Sequence, residues 1–212
     1  MIHLDIFSDP VCPWCYIGKA HLDRALASRP GHPFVIEWHP FQLNPDMPRE
    51  GADRVSYLEA KFGGRDKASA IYARVEQAAV EAGLEIDFAA MKRQPNTLDA
   101  HRLIHWAGLE GRQTAVKAAL MRAFFREGRD IGDSGTLVAI AESCGMDPAV
   151  VARLLASDAD RDDTAARDMD ARRKGVTAVP TFLIARQYVV QGAQPPEVWA
   201  QVIDELVNLP DA

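Results

Sequence analysis

The sequence predicts an α/β fold, in which one mixed β-sheet carries helices on its faces and a large helical insertion interrupts the sheet domain. Three observations support this prediction. Residues 2–39 alternate as strand, helix and strand, residues 53–157 show almost only helical periodicity, and residues 159–212 are typical of helix, strand, strand and helix. A chain with this order can form one sheet, with the helical block lying over it as a lid.

Composition and charge exclude several classes of protein. Hydrophobic residues make up 48% and charged residues 25% of the 212 residues, which is typical of a globular chain with a sizeable core. A net charge of -6 argues against nucleic acid as a partner, and no apolar stretch is long enough to predict a membrane span. Residues 1–7 are typical of a strand and not of a secretory leader, so we expect a cytoplasmic protein.

The first elements are a strand, a helix and a second strand. Ile2, Leu4 and Ile6 alternate with residues of the opposite face, and the helix that follows Cys12 ends near residues 30–31, a Pro-Gly stop signal. Alternation returns over residues 34–39. This order predicts two parallel strands joined by a right-handed crossover.

A proline-rich linker then leads into the helical block. Pro40, Pro45 and Pro48 lie close together and mark a domain boundary. Helical periodicity follows, interrupted by one short strand predicted at 84–87. Asn96 is expected to cap a helix, with Asp99 in the capping-box position. Helices are predicted over residues 54–62 and 66–82, from about 96, over 113–127, before 144–145 and from 147–148.

The last part of the chain returns to the sheet. Residues 181–184 and 188–191 are apolar and β-branched, and they predict a hairpin, although residues 185–187 lack the usual Asn-Gly turn chemistry. A final helix opens at residues 195–196. We therefore assign residues 1–47 and 159–212 to one discontinuous domain and residues 48–158 to an inserted helical domain.

The chemistry is expected at a Cys-x-x-Cys pair, Cys12 and Cys15. Two intervening residues let the cysteines meet once a helix begins there, with Pro13 in the first turn, where a missing N–H costs nothing. The helix N-terminus would favour a thiolate on Cys12, the exposed nucleophile, while Cys15 would resolve the mixed disulfide. A zinc site needs two further ligands, and the only other cysteine, Cys144, is isolated, so we expect no metal.

Five segments of the chain carry a family resemblance. They are residues 8–15 (SDPVCPWC), 38–45 (WHPFQLNP), 95–103 (PNTLDAHRL), 175–182 (GVTAVPTF) and 192–194 (GAQ). On these segments the chain resembles the DsbA-like oxidoreductases of the thioredoxin fold, specifically their FrnE-like branch. That branch is related to 2-hydroxychromene-2-carboxylate isomerase and the kappa-class glutathione transferases. The resemblance implies a thioredoxin-like fold with a helical insertion.

The resemblance also implies several site residues. It implies a cis peptide bond between Val179 and Pro180, which would leave the Val179 backbone free to pair with an extended substrate. Pro13 and Trp14 are candidate substrate contacts, although Trp14 could equally pack against the lid. Asn96 and His101 match a segment near the active cleft, where their alternative roles are a helix cap and a surface helix residue.

Three functions remain open on the sequence. The leading hypothesis is a thiol–disulfide oxidoreductase acting through Cys12 and Cys15 on a thiol or disulfide, in a protein or a small molecule. A glutathione-dependent isomerase or transferase is the enzymatic alternative, although its relatives carry serine where this chain has Cys12. A redox-sensing binding protein is the third. We expect no cofactor besides the redox-active disulfide, glutathione as the candidate co-substrate, and a helical block compatible with a homodimer.

Overall fold

A four-stranded mixed sheet lies at the centre of the computed structural model, which describes residues 1–208. In chain order the elements are β1 (Ile2–Ser8), α1 (Pro13–Ala27), β2 (Phe34–Pro40), β3 (Ala52–Asp53), α2 (Arg54–Phe62), α3 (Arg65–Glu81), β4 (Arg93–Gln94), α4 (Leu98–Leu109), α5 (Gln113–Phe125), α6 (Ser134–Ser143), α7 (Pro148–Leu155), α8 (Arg161–Arg173), β5 (Thr181–Ile184), β6 (Tyr188–Gln191) and α9 (Pro196–Val207). The predicted mixed sheet with flanking helices and a helical insertion is confirmed.

The sheet has the strand order β2-β1-β5-β6. β1 is parallel to β2, as the intervening helix requires, and antiparallel to β5, which forms the predicted hairpin with β6. The hairpin closes without Asn-Gly because Ala185 and Arg186 adopt left-handed backbone conformations, with φ of 53° and 58°. This topology brings the C-terminal end of β1 beside the N-terminal end of β5, where Phe7 pairs with Thr181.

The inserted helices share a hydrophobic core with the sheet. Leu4 and Ile6 point from β1 into the same buried cluster as Leu103 of α4 and Phe124 of α5. The apolar face of the strand, which repeats every two residues, therefore packs against the apolar faces of the helices, which repeat every 3.6 residues. The assignment of residues 48–158 to a separate domain stays a prediction.

One predicted strand is wrong. Residues 84–87 form no strand, because Leu84 and Ile86 pack against α3 and neighbouring side chains, and the Asp87 N–H donates to the Phe125 carbonyl at the end of α5. The short strands β3 and β4 instead pair with each other at the base of α2. An alternating apolar pair is too short a pattern to separate a strand from an extended loop packed on a helix.

The capping box predicted at α4 is also absent, because Asp99 pairs with Arg102 and Arg161. Asn96 still satisfies the start of the helix, since its side-chain oxygen accepts the Leu98 N–H at 2.9 Å.

The linker after β2 is fixed by a buried carboxylate. Asp168 of α8 accepts the Gln42 N–H at 2.7 Å and pairs with Arg172 at 2.9 Å. Arg172 also donates to the Gln42 carbonyl and lies over the Phe41 ring, with its guanidinium carbon 4.1 Å from the ring centroid. α8 therefore holds the linker against the sheet. Within residues 1–208, no helix combines the length and apolar character needed to cross a bilayer.

Candidate active site

The two cysteines lie at the N-terminus of α1. Cys12 is the N-cap residue, and its carbonyl accepts the N–H groups of Cys15 and Tyr16, both at 3.1 Å. Pro13 occupies the first turn, as predicted, and the Cys12 N–H donates to the Asp9 carbonyl at 3.0 Å. Both cysteines are free thiols in this structure. The first turn of the helix thus places them side by side.

The loop before β5 faces the dithiol. The Cys12 thiol contacts the Val179 carbonyl, with 3.7 Å between Sγ and O, and the peptide bond between Val179 and Pro180 is cis, as predicted. Gly18 of α1 lets this loop approach, because a Cβ at that position would lie 3.1 Å from the Pro180 ring and 3.3 Å from the Ala193 Cα. The loop and the helix are therefore packed directly against each other.

The predicted exposure of the nucleophile is wrong. The Cys12 side chain is 4% exposed and Cys15 is 1% exposed. Residues of α2 and α3 lie across a cleft from Cys12 and the Val179 loop, whereas Cys15 belongs to the hydrophobic core. Trp14, between the cysteines, points outward and is 41% exposed.

A cleft of about 350 Å³ lies between the dithiol and the two covering helices. Its dithiol wall includes Cys12, Trp14 and Val179, and its opposite wall is largely aromatic and aliphatic. The residues that form the wall from α2 and α3 are Tyr57, Leu58, Lys61, Phe62, Ile71, Tyr72 and Val75. An apolar pocket with a few polar groups is the usual form of a small-molecule site.

A buried lysine lies beneath the dithiol. Lys117 of α5 donates to the Ser8 carbonyl at 3.3 Å, and its ammonium lies 5.6 Å from the centroid of the Trp38 ring. Burial lowers the pKa of Lys117 to about 8, against opposing attraction from Cys15 and Asp9. The pKa of Cys15 is raised well above its ordinary value, first by burial and then by its contact with Cys12, while Lys117 opposes the rise.

Asp9 and His101 complete this buried group. One Asp9 oxygen accepts the Leu43 N–H at 2.7 Å, and the other lies 3.6 Å from His101 Nε2. Among the residues described, neither that oxygen nor Nε2 has a hydrogen-bond partner, and the same holds for the Ser8 hydroxyl. Burial lowers the pKa of His101, although Asp9 opposes this. Four ionisable groups therefore lie together near Cys12: Asp9, Cys15, His101 and Lys117.

The predicted site residues divide by whether they line the cleft. Cys12, Pro13, Trp14 and Val179 line it, whereas Cys15 and Pro180 are buried next to them. Asn96 does not line it, since its amide donates to the Met47 carbonyl at 2.6 Å. His101 is buried behind the dithiol, and not on a helix surface. Contact of either residue with substrate stays a prediction that the cleft geometry does not support.

Sequence reasoning missed Lys117 and gave Asp9 no role. The signal for Lys117 was present, because it precedes Leu120, Met121 and Phe124 by three, four and seven residues and so shares the apolar face of α5. A lysine on such a face must either reach solvent or meet buried partners.

One cluster away from the dithiol has metal-binding residue types. The side-chain donor atoms of Asp5, Glu37 and His39 lie within 4.8 Å of one another on β1 and β2. His39 Nε2 is 2.9 Å from the Asp5 carboxylate, so these two already share a hydrogen bond. Arg167, Lys174 and Arg186 line the same cavity. The prediction of no metal stays a prediction.

Cys144 is half-buried at the end of α6.

A family model and a solved structure that are similar to this chain indicate the same protein family. A family model described as DSBA-like thioredoxin domain matches residues 3–204. A solved structure described as "probable DsbA oxidoreductase SCO1869" of Streptomyces coelicolor is 32% identical, with a TM-score of 0.87 over 100% of this chain and 92% of that one.

Two further relatives extend the comparison. The "Uncharacterized protein YwbO" of Bacillus subtilis (strain 168) is 29% identical over 205 residues, which are 96% of each chain. The cytosolic disulfide reductase DsbM of Pseudomonas aeruginosa, solved with GSH, is 19% identical, with a TM-score of 0.69 over 98% of this chain and 100% of that one. At this identity the likeness to DsbM shows the fold alone.

Proposed function

The chain belongs to the family of DsbA-like thioredoxin domains, and from that premise we propose that it is a thiol–disulfide oxidoreductase whose working dithiol is Cys12 and Cys15. The observation that carries the proposal is the placement of this pair. Both thiols lie at the start of α1, and Cys12 faces the Val179 loop and lines the cleft. A nucleophile, a resolving thiol and a binding space are the parts that thiol–disulfide exchange requires.

In the reducing direction the exchange begins at Cys12. Its thiolate attacks one sulfur of a substrate disulfide, a mixed disulfide forms, and the first substrate thiolate leaves and takes a proton. The Cys12 side chain is the cleft-lining member of the pair, whereas Cys15 lies behind it. This order of burial supports Cys12 as the attacking sulfur.

Cys15 then attacks the Cys12 sulfur and releases the second substrate thiol. Cys15 must first lose its proton, which burial opposes by raising its pKa. Lys117 opposes this rise as a neighbouring cation, since with a pKa of about 8 it is mostly charged at pH 7. We infer that charged Lys117 stabilises the Cys15 thiolate while the proton passes to the departing substrate thiol. The balance is a protein dithiol and one disulfide giving a protein disulfide and two thiols.

The other hypotheses gain less support. The glutathione-dependent isomerase relies on a serine at the position where this chain has Cys12. A redox-sensing binder would not require a cleft leading to the sulfur. We propose a reducing compartment such as the cytoplasm, where the dithiol would cycle, with glutathione as the candidate thiol partner.

Trapping the intermediate tests the proposal. The Cys15→Ser variant, incubated reduced with hydroxyethyl disulfide, is expected to carry one substrate half on Cys12, as measured by intact-protein mass spectrometry. The wild type is expected to become the internal disulfide, with no adduct. Cys12→Ser is the matched control and is expected to remain unmodified. Exchange that persists at the wild-type rate in Cys12→Ser would refute the proposal.

A further inference from the structure

The size and lining of the cleft beside Cys12 indicate which substrates can react there. We propose that the cleft selects low-molecular-weight disulfides with an apolar body and an anionic group, and that it excludes folded proteins. This inference rests on the thiol–disulfide exchange proposed above and names the substrate class of the same site. Three independent features of the cleft support it: access, the chemistry of its walls, and charge.

Access to the sulfur is narrow. Attack requires a substrate sulfur to come within bonding distance of Cys12 Sγ, and that side chain is 4% exposed. A disulfide on the surface of a folded protein is flanked by its own backbone, which cannot enter a cavity of about 350 Å³. That volume lies at the lower end of the range for small-molecule sites. The size of the cleft therefore favours a small disulfide.

The walls suit an apolar body with one polar contact. Leu58, Phe62 and Ile71 offer aliphatic and aromatic surface. The Tyr72 hydroxyl oxygen accepts a hydrogen bond from Arg54 at 3.0 Å, which leaves its hydrogen free to donate to a ligand. Burial raises the pKa of Tyr72, so the hydroxyl keeps that hydrogen at neutral pH.

The charge of the cleft has one sign. Lys61 is the charged side chain among the described residues that line it, and no aspartate or glutamate joins it there. Lys61 contacts the Tyr57 hydroxyl at 3.1 Å and, within the described residues, forms no ion pair. Arg54 lies behind Tyr72, and Lys117 lies beneath the dithiol. An anionic substituent near Lys61 is thus attracted, and a cationic one is repelled.

The test compares three small disulfides that differ mainly in charge: dithiodipropionate, hydroxyethyl disulfide and cystamine. Pre-reduced protein is mixed with excess disulfide, quenched with acid, alkylated and weighed by mass spectrometry, so no added reductant is needed. Each rate constant is divided by that of dithiothreitol with the same disulfide. Insulin serves as the folded-protein probe.

We expect the normalised rate constant to be two- to fivefold higher for the anion than for the neutral disulfide, about the effect of one exposed ion pair, and lower for the cation. Lys61→Glu should reverse this order, whereas the matched control Lys67→Glu, on α3 outside the cleft, should preserve it. Raising the ionic strength from about 0.01 to about 0.5 M should shrink the ratio. Insulin should react at least about tenfold more slowly than the neutral disulfide, because its entry needs the covering helices to move.

The outcomes distinguish failure of this inference from failure of the proposed function on which it rests. Equal rates for anion and cation, or an unchanged ratio in Lys61→Glu, would overturn the charge selection. Insulin reacting as fast as the neutral disulfide would overturn the size selection. In those cases exchange has been observed, and the proposed function stands. Failure of all four probes to react with the reduced wild type would overturn the proposed function itself.

Discussion

Replacing the buried lysine should stabilise the protein at neutral pH. Lys117 is enclosed by the sheet and the inserted helices, with the Ser8 carbonyl as its one hydrogen-bond partner among the described residues. Methionine has a similar length and carries no charge, so Lys117→Met removes the buried charge and keeps the packing. A charged group in such a place costs free energy unless it is fully paired.

The lowered pKa of Lys117 sets the magnitude and the sign of the expected change in the free energy of unfolding. Its fall from 10.5 to about 8, at about 1.4 kcal/mol per pKa unit, corresponds to a penalty of about 3 kcal/mol while the lysine is charged. Loss of the Ser8 hydrogen bond offsets about 1 kcal/mol. We therefore expect Lys117→Met to raise the free energy of unfolding by about 2 kcal/mol at pH 7.

The pH dependence distinguishes this reasoning from a general packing effect. Between about pH 8 and pH 10.5 the unfolded chain keeps a proton on Lys117 that the folded chain has lost, so stability gained from this residue rises with pH. The advantage of Lys117→Met should therefore shrink across that window and vanish at about pH 10, where the remaining charge penalty equals the contribution of the Ser8 hydrogen bond.

Urea unfolding at pH 7, 8, 9 and 10 measures the effect. Because the thiols also titrate in this range, the comparison is repeated with Cys12 and Cys15 both replaced by serine. Lys67→Met, at an exposed position of α3, is the matched control, with an expected change below about 0.5 kcal/mol at every pH. A Lys117→Met variant that is less stable at pH 7, or an effect that does not change with pH, would refute the reasoning.

Two further predictions concern packing around the site. Gly18→Val should lower the free energy of unfolding by about 2 kcal/mol and slow exchange with hydroxyethyl disulfide, because its side chain would press on Pro180 and Ala193. Gly31→Ala, where no atom of residues 1–208 lies within 4 Å of the added Cβ, is the control, and equal stability of the two variants would contradict the prediction. Asp168→Asn should cost about 3 kcal/mol in urea unfolding, since it leaves Arg172 without its carboxylate partner. A cost below about 1 kcal/mol would contradict the prediction that the ion pair with Arg172 stabilises the fold.

Local patterns were enough to predict most of the fold and the position of the cysteine pair. Period-2 alternation in residues 2–7 and 34–39 predicts strands that each extend one residue further in the structure, and the Pro-rich segment between Pro40 and Pro48 predicts a domain boundary. The Cys12–Cys15 spacing depends on one helical turn, which is also local. The cis peptide bond at Pro180 came from the resemblance, because most X-Pro bonds are trans.

The remainder depends on long-range packing. The cleft beside Cys12 depends on where α2 and α3 lie relative to α1, and no periodicity in either segment specifies that position. Lys117 and its acceptor Ser8 are 109 residues apart, so the apolar face of α5 could predict that the lysine is buried but not which group it meets. The strand prediction for residues 84–87 was wrong because their short apolar pattern fits a strand and an extended loop equally well.

The outward position of Trp14 has a spectroscopic consequence. The other three tryptophans, Trp38, Trp106 and Trp199, are each at most 4% exposed, whereas Trp14 is 41% exposed. A water-soluble quencher such as iodide should therefore act on the fluorescence of one indole, which lies between the two cysteines. The quenchable fraction of the emission becomes an intrinsic optical signal for the first turn of α1, and it needs no added label.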